Sequence, residues 1–248
     1  MRVITIGRRT IVFAALFTVF SILLAGPLAG TVREAMSPLV GVPIRHGPNG
    51  GGMIALTFDD GPDPQNTPYI LEVLARYNAK ATFFVVGEWV DKHPNYVRDA
   101  VQAGHEIASH SYTHRNVAGK SDAQFLQEIQ RTEDSVFKAA GVRPNCFRPP
   151  YGRVNSRMLK ILAAREYTVV LWSLDSLDWK LGSASQIATL VIRDAKPGDI
   201  VLMHDGGGPR PRTIKALDTI LKQLSAKGFT FVTLDELFRA EAEAGPGE

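Results

Sequence analysis

The stretch Met53-Ile54-Ala55-Leu56-Thr57-Phe58-Asp59-Asp60-Gly61-Pro62 decides the fold. Met53–Phe58 is a short, nearly continuous apolar run, the pattern of a strand covered on both faces. Two carboxylates follow at its end, and Gly61-Pro62 turns the backbone away. Neighbouring strand residues point to opposite faces. One carboxylate is therefore free to ligate a metal while the other works on water.

The same alternation continues downstream. Gln65–Tyr77 predicts a helix with Ile70, Leu71, Val73 and Leu74 inward, and Ala81–Val86 a strand rich in β-branched and aromatic residues. Asp91–Ala103 predicts one helix ending at Gly104. Glu106–Ser109 reads as a short strand. Ser121-Asp122-Ala123-Gln124 is a capping box, opening a helix with Phe125, Leu126, Ile129, Val136 and Phe137 apolar. Strands over Asn145–Arg148, Thr168–Ser173, Ile200–His204 and Phe229–Val232 alternate with helices over Ser156–Glu166, Ser185–Asp194, Thr213–Lys227 and Asp235–Ala242. Roughly seven such units imply a parallel sheet. The absence of a Gly-rich dinucleotide fingerprint favours a barrel over an open sheet.

The N-terminus is of another kind. Arg2, Arg8 and Arg9 precede an uncharged run from Thr10 to Val32. A basic start before an apolar run reads as an export signal or signal anchor. Small residues at the −3 and −1 positions of a cut are lacking: cutting after Ala29 puts Pro27 at −3, and cutting after Gly30 puts Leu28 there. An uncleaved membrane anchor over residues 1–30 is the first reading and a cleaved signal the second, with the rest of the chain outside the cytoplasm, tethered or secreted. Residues 31–52, punctuated by Pro38, Pro43, Pro48 and Gly50-Gly51-Gly52, read as a linker. The folded domain is expected over 53–242 and a frayed tail over 243–248.

Composition agrees with one globular domain: 248 residues, 45% hydrophobic and 21% charged. Residues 1–30 hold three arginines and no acid, so the net charge of +3 leaves the remainder neutral. The basic balance is no argument for nucleic acid. Cys146, the single cysteine, cannot form an internal disulfide and reads as a small core residue.

The polar clusters fall at strand ends. Asp59-Asp60 follow the first strand, His110 the third, and Arg148 closes the fourth. Asp175 and Asp178 follow the fifth, and His204 ends the sixth. In a (β/α) barrel those ends converge on one mouth, where active sites sit. His110 and His114 are spaced as on one face of a helical turn. With Asp60 they make a His-His-Asp set, three ligands that leave a position for water, as catalytic zinc requires. His204, before Gly206-Gly207-Gly208, is a candidate general acid. Trp179 offers a flat wall for a sugar. Arg210-Pro211-Arg212 reads as a solvated turn, with contact to an anionic polymer as the alternative, and His46, His93 and His105 as residues without a site role.

Together these motifs resemble the NodB-homology polysaccharide deacetylases, carbohydrate esterase family 4, over residues 53–238. Thr57–Pro62 matches TFDDGP, His110–His114 matches H-S/T-x-x-H, and Arg148–Gly152 matches RPPYG. Asp175–Trp179 matches D-x-x-D-W, and Leu202–Asp205 matches L-x-H-D. The resemblance implies a distorted (β/α)7–8 barrel that follows the N-terminal membrane segment. It makes Asp59 the catalytic base oriented by Arg148, and Asp60, His110 and His114 the metal ligands. It gives the Tyr151 backbone N–H to the oxyanion, Leu202 to the acetate-methyl pocket, and Asp178 to tuning His204. The ion expected is zinc, with cobalt or nickel able to serve. The substrate expected is an acetylated polysaccharide outside the cytoplasm, peptidoglycan N-acetylglucosamine first. Chitin oligomers, xylan O-acetyl groups, or a glycan-binding module without catalysis are the alternatives.

Overall fold

The computed structural model describes residues 41–48 and 51–244. The expected membrane segment over residues 1–30 lies outside the described residues. Among those described, no helix is long and apolar enough to cross a membrane.

Strand β1 (Met53–Asp59) is followed by α1 (Thr67–Arg76), β2 (Ala81–Val85), α2 (Gly87–Lys92), α3 (Pro94–Gln102) and β3 (Glu106–Ser109). Then come α4 (Asp122–Ala140), β4 (Cys146–Phe147), α5 (Ser156–Ala164), β5 (Thr168–Val169) and β6 (Leu174–Asp175). The chain closes with α6 (Ala184–Asp194), β7 (Ile200–His204), α7 (Pro211–Ala226), β8 (Thr230–Phe231) and α8 (Leu234–Ala244). The strand order is β5-β4-β3-β2-β1-β7-β6, with β8 paired to the start of β1. Every pairing is parallel. β5 and β6 are the two ends of this order, so the sheet is a half-barrel rather than a closed ring.

The period of two along each strand sorts the core. Ile54, Leu56, Phe58, Val201 and Met203 pack in one cluster with Leu74, Leu217 and Leu221 of the surrounding helices. Ala55 and Ile200 take the opposite parity. They join Phe84, Ala108 and Cys146, and α8 plugs this inner space with Leu234, Leu237 and Phe238. Cys146 is buried there, as its sequence context implies.

Several local expectations change. The helix expected over Asp91–Ala103 is two helices, because Pro94 supplies no N–H and starts α3 instead of continuing α2. The strand expected over Thr168–Ser173 is regular only at Thr168–Val169; Val170 continues in an isolated bridge to Ile44, and the chain then reaches β6, at the other end of the strand order. Phe137, counted among the apolar residues of α4, is 47% exposed, with the Arg143 guanidinium 4.3 Å over its ring. Part of the expected linker is built into the fold. Ile44 N donates to Val169 O (2.8 Å), Ile44 O accepts from Leu171 N (2.7 Å), and Gly47 N donates to Gly198 O (2.8 Å). The Ile44 side chain is buried beside the free edge of β5.

At the N-terminal end of the strands, Glu106 fastens α8. Its Oε2 accepts from Thr82 Oγ1 (2.9 Å) and Asp235 N (3.0 Å), and Thr82 Oγ1 accepts from Leu234 N (3.0 Å). Burial pushes the Glu106 carboxyl from 4.5 up to about 7, against these hydrogen bonds. The unfolded chain releases this proton near 4.5 while the folded chain holds it to about 7. Stability therefore falls as pH rises through that window and levels off above it. A shift of that size corresponds to roughly 3 kcal/mol. Glu106→Gln, which cannot ionise, is expected to flatten the decline of melting temperature between about pH 5 and pH 8. A slope identical to that of the parent protein would show that Glu106 is not its source.

Candidate active site

The site starts from strand parity. Asp59 shares the inward face with Ala55 and Thr57, is 3% exposed, and stands in register with His204 across the β1–β7 pair. Asp60 lies just past the strand with φ 79, a left-handed backbone that swings its carboxylate back over the strand ends. Gly61 is required by packing: a Cβ there would sit 2.1 Å from the Asp205 carboxylate, which accepts from Thr67 Oγ1 at 2.6 Å.

His110 and His114 do meet, but not on a helical turn. Residues 110–114 form a loop in which Ser111 (φ 68) and His114 (φ 55) are left-handed, and the two rings lie 5.0 Å apart. His110 Nδ1 lies 2.7 Å from Arg148 O, so Nδ1 carries the proton and Nε2 presents a lone pair. That Nε2 is 3.5 Å from Asp60 Oδ1 and 3.7 Å from Asp59 Oδ2, and His114 Nε2 is 2.9 Å from Asp60 Oδ1. Burial opposes charge on Asp60, but the two imidazoles outweigh it and hold its pKa far below the usual carboxylate range.

The three donor atoms of Asp60, His110 and His114 lie within 4.8 Å of one another. Asp60 Oδ1 is buried without a well-formed hydrogen bond. A carboxylate oxygen and two imidazole nitrogens that converge this closely repel unless protons or a cation sit among them. The donor set and its span fit a zinc-like ion with ligand distances of about 2.0–2.2 Å. A carbonyl fixing the far nitrogen of His110 is the usual support of a metal-binding histidine.

Glu128, on the inner face of α4, holds this loop in shape. Its Oε2 accepts from Tyr112 N (2.9 Å) and Thr113 N (2.8 Å), and its Oε1 from Thr113 Oγ1 (2.8 Å), with Lys120 Nζ at 3.1 Å. Burial opposes its charge, but the bonds from Thr113 and Lys120 win and its pKa is lowered. The sequence carried one signal for it: an acid within the apolar stripe of Phe125, Ile129 and Thr132.

Arg148 is fully buried. Its Nη1 donates to Asp59 Oδ1 (2.7 Å) and Thr57 Oγ1 (2.8 Å), its Nη2 to Leu171 O (2.9 Å) and its Nε to Val170 O (3.2 Å). Asp178 stands behind His204. Its Oδ1 is 2.7 Å from His204 Nδ1, and its Oδ2 accepts from His204 N and Thr213 Oγ1, both at 2.9 Å. Burial disfavours charge on His204, yet Asp178, with Asp59 and Asp60, raises its pKa above the ordinary value.

These groups open onto a cavity of about 340 Å³. Tyr151 (φ 61) and Trp179 form exposed walls, 64% and 55% accessible, and Leu202 is a buried one. The Tyr151 ring lies 5.2 Å from that of His114. Two lining residues were not expected there, Trp172 and Arg210, while Asp175 lines the mouth as its strand-end position implies. Arg210 is thus no solvated turn. His105 is buried and accepts from Ala81 N, in keeping with a packing role.

A family model described as polysaccharide deacetylase matches residues 46–170. A peptidoglycan-N-acetylglucosamine deacetylase of Bacillus cereus is 40% identical over 198 residues, covering 79% of this chain and 72% of the relative. A solved peptidoglycan N-acetylglucosamine deacetylase in complex with 4-naphthalen-1-yl-N-oxidanyl-benzamide matches with TM-score 0.78 and 38% identity. That match covers 83% of this chain and 96% of the other. A pseudoenzyme of carbohydrate esterase family 4 from Bacillus anthracis matches with TM-score 0.74 and 31% identity, over 80% of this chain and 69% of the other.

Glu128→Gln replaces two acceptor positions with an N–H₂ that faces donors. It is expected to weaken divalent-metal binding about 10- to 100-fold, the usual penalty for losing an outer support, read by competition with a chromophoric chelator. Affinity equal to that of the unaltered protein would mean that the loop holds its shape without Glu128.

Proposed function

The chain belongs to the polysaccharide deacetylase family, and from that premise we propose a metal-dependent hydrolase acting outside the cytoplasm. It removes N-acetyl groups from N-acetylglucosamine units of a polysaccharide, peptidoglycan first among them. The observation that carries this reading is the donor set of Asp60, His110 and His114 beside a buried, arginine-paired Asp59. Three ligands in this arrangement suit zinc, and cobalt or nickel would be accepted by the same donors. The similarity to named peptidoglycan deacetylases supports the substrate. The basic and apolar N-terminal run supports export with a membrane tether.

A divalent ion held by Asp60, His110 and His114 supplies Lewis acidity toward water and the acetamide carbonyl. Asp59 accepts the proton of the attacking water. Arg148 Nη1 occupies its Oδ1 at 2.7 Å, leaving Oδ2 on the side of His110 Nε2 at 3.7 Å. The Tyr151 N–H donates to the oxyanion of the tetrahedral intermediate, an interaction of the kind worth several kcal/mol. His204, with Nδ1 held by Asp178, protonates the leaving amine from Nε2. The C–N bond breaks, and acetate and a free amino sugar leave. Leu202 walls the acetyl methyl and Trp179 stacks on a sugar ring.

Measurement of metal content beside acetate release tests this assignment. Asp60→Ala is expected to lose both. His204→Ala is expected to keep the metal while turnover falls about 10²-fold or more. Full acetate release by both variants would sink the reading. A wild-type protein that binds metal and glycan yet frees no acetate would make the chain a glycan-binding relative.

The pH profile supplies a second test. The general acid works while protonated, so activity is lost as pH rises through the His204 pKa. Asp178 raises that pKa. Asp178→Asn should therefore move the alkaline limb of kcat to lower pH, and an unmoved limb would remove His204 from that role.

A further inference from the structure

Arg210 lies in the cavity wall, and the deacetylation chemistry leaves it without work. Its place is built. Its backbone N donates to Asn66 Oδ1 (2.8 Å), and Asn66 Nδ2 donates to Gly208 O (2.9 Å). Asn66 itself is 1% exposed. The Arg210 Nε donates to Gly206 O (2.7 Å), which fixes the plane of the guanidinium. The loop that carries it is thereby stapled to the start of α1 and to itself.

The guanidinium also faces the reacting end of the cavity. A Cβ added at Gly207, where φ is +73, would lie 3.0 Å from Arg210 Nη2 and 3.1 Å from Asp60 Oδ2. Nη2 thus lies on the same side of the loop as the metal-ligand carboxylate, and no ion pair joins Arg210 to a carboxylate among the described residues. A neutral amino-sugar polymer gives a fixed cation nothing to neutralise. A planar fork with its outer N–H groups unspent matches a carboxylate, which it binds through two parallel hydrogen bonds.

We infer that Arg210 binds a carboxylate on the sugar next to the one deacetylated, so that the preferred substrate is an anionic glycan rather than neutral chitin. This rests on the deacetylase reading above and extends it to the neighbouring sugar. In peptidoglycan the group of that chemistry is the lactyl carboxylate of the muramic sugar, which is free once the stem peptide is gone. Carboxylates of the stem peptide itself are the other source.

The test compares three substrates: neutral N-acetylglucosamine oligomers, peptide-free strands with free lactyl carboxylates, and strands that keep their peptides. Acetate release is measured for the parent protein, Arg210→Gln and Arg210→Lys. The parent is expected to favour the peptide-free strands over the neutral oligomers. Arg210→Gln is expected to cut that ratio of kcat/KM about tenfold, the order of one charge-assisted hydrogen-bonded contact. The loss should fall mainly in KM. Arg210→Lys keeps the charge without the fork and should lie between. A preference seen only for peptide-bearing strands would overturn the lactyl assignment. An equal loss on neutral and anionic substrates would overturn the inference, placing Arg210 behind Asp60 instead. So would a parent protein without preference.

Binding separates this from the function on which it rests. Peptide-free strands are titrated into His204→Ala and into His204→Ala with Arg210→Gln. Weaker binding by the double variant supports Arg210 even if no protein releases acetate, in which case the deacetylase reading alone fails. Equal binding by the two variants overturns the role given to Arg210.

Discussion

Everything at the mouth of this half-barrel hangs on a buried arginine. Stripping a guanidinium of water costs several kcal/mol, and only good geometry offsets it. Arg148 meets that demand with Asp59, Thr57 Oγ1 and two main-chain carbonyls, and its charge lies 4.0 Å over the Phe84 ring. Burial lowers its pKa, and Asp59 pulls it back up. The same residue links the parts of the site. Its side chain fixes the carboxylate of β1, and its carbonyl sets the tautomer of His110. Removing either member would strand a charge inside the protein, which typically costs about 3–5 kcal/mol.

That constraint explains how two adjacent carboxylates come to differ. Asp59 keeps strand geometry, points inward and pairs with an arginine. Asp60 leaves the strand through a left-handed residue and pairs with imidazoles. The chemistry is divided by backbone conformation, not by residue type. Gly61, with no room for a Cβ against Asp205, lets the chain make that change within a single step.

Much of this was legible in the sequence because strand ends are local. Buried apolar runs marked β1, β2, β3 and β7, and polar residues just beyond them marked the mouth. The histidine pair was legible as chemistry but not as geometry. A spacing of four suits a helical turn, and nothing local announced that Ser111 and His114 would take positive φ. That shape is imposed from elsewhere, by Glu128 sixteen residues from Tyr112. Ile44 was hidden for the same reason. Its partners, Val169 and Leu171, are remote in sequence, and a proline-punctuated stretch carries no period to betray them. Arg210 was misread because a charged residue beside proline and glycine usually faces water. The bond from its backbone N to Asn66 Oδ1, which fixes the loop at the cavity, spans 144 residues.

The two ends of the sheet have different burdens, as parallel barrels generally allow. At the C-terminal ends, unpaired or strained groups are concentrated: Asp60 Oδ1 without a proper hydrogen bond, and left-handed Asp60, Ser111, His114 and Tyr151. Such strain persists only where the surroundings over-determine it. The over-determination comes from behind the site, where Glu128, Arg148 and Asp178 each make several bonds to hold a neighbour still. At the N-terminal ends, Glu106 and Thr82 clamp α8 over the inner core, and Ile44 fills the open edge. The titrating carboxyl of Glu106 belongs to that lower end, while His204 belongs to the mouth. Burial raises the Asp205 carboxyl at the mouth to about 7 as well, so stability draws its pH dependence from both ends of the strands, whereas the proposed general acid lies at the mouth alone.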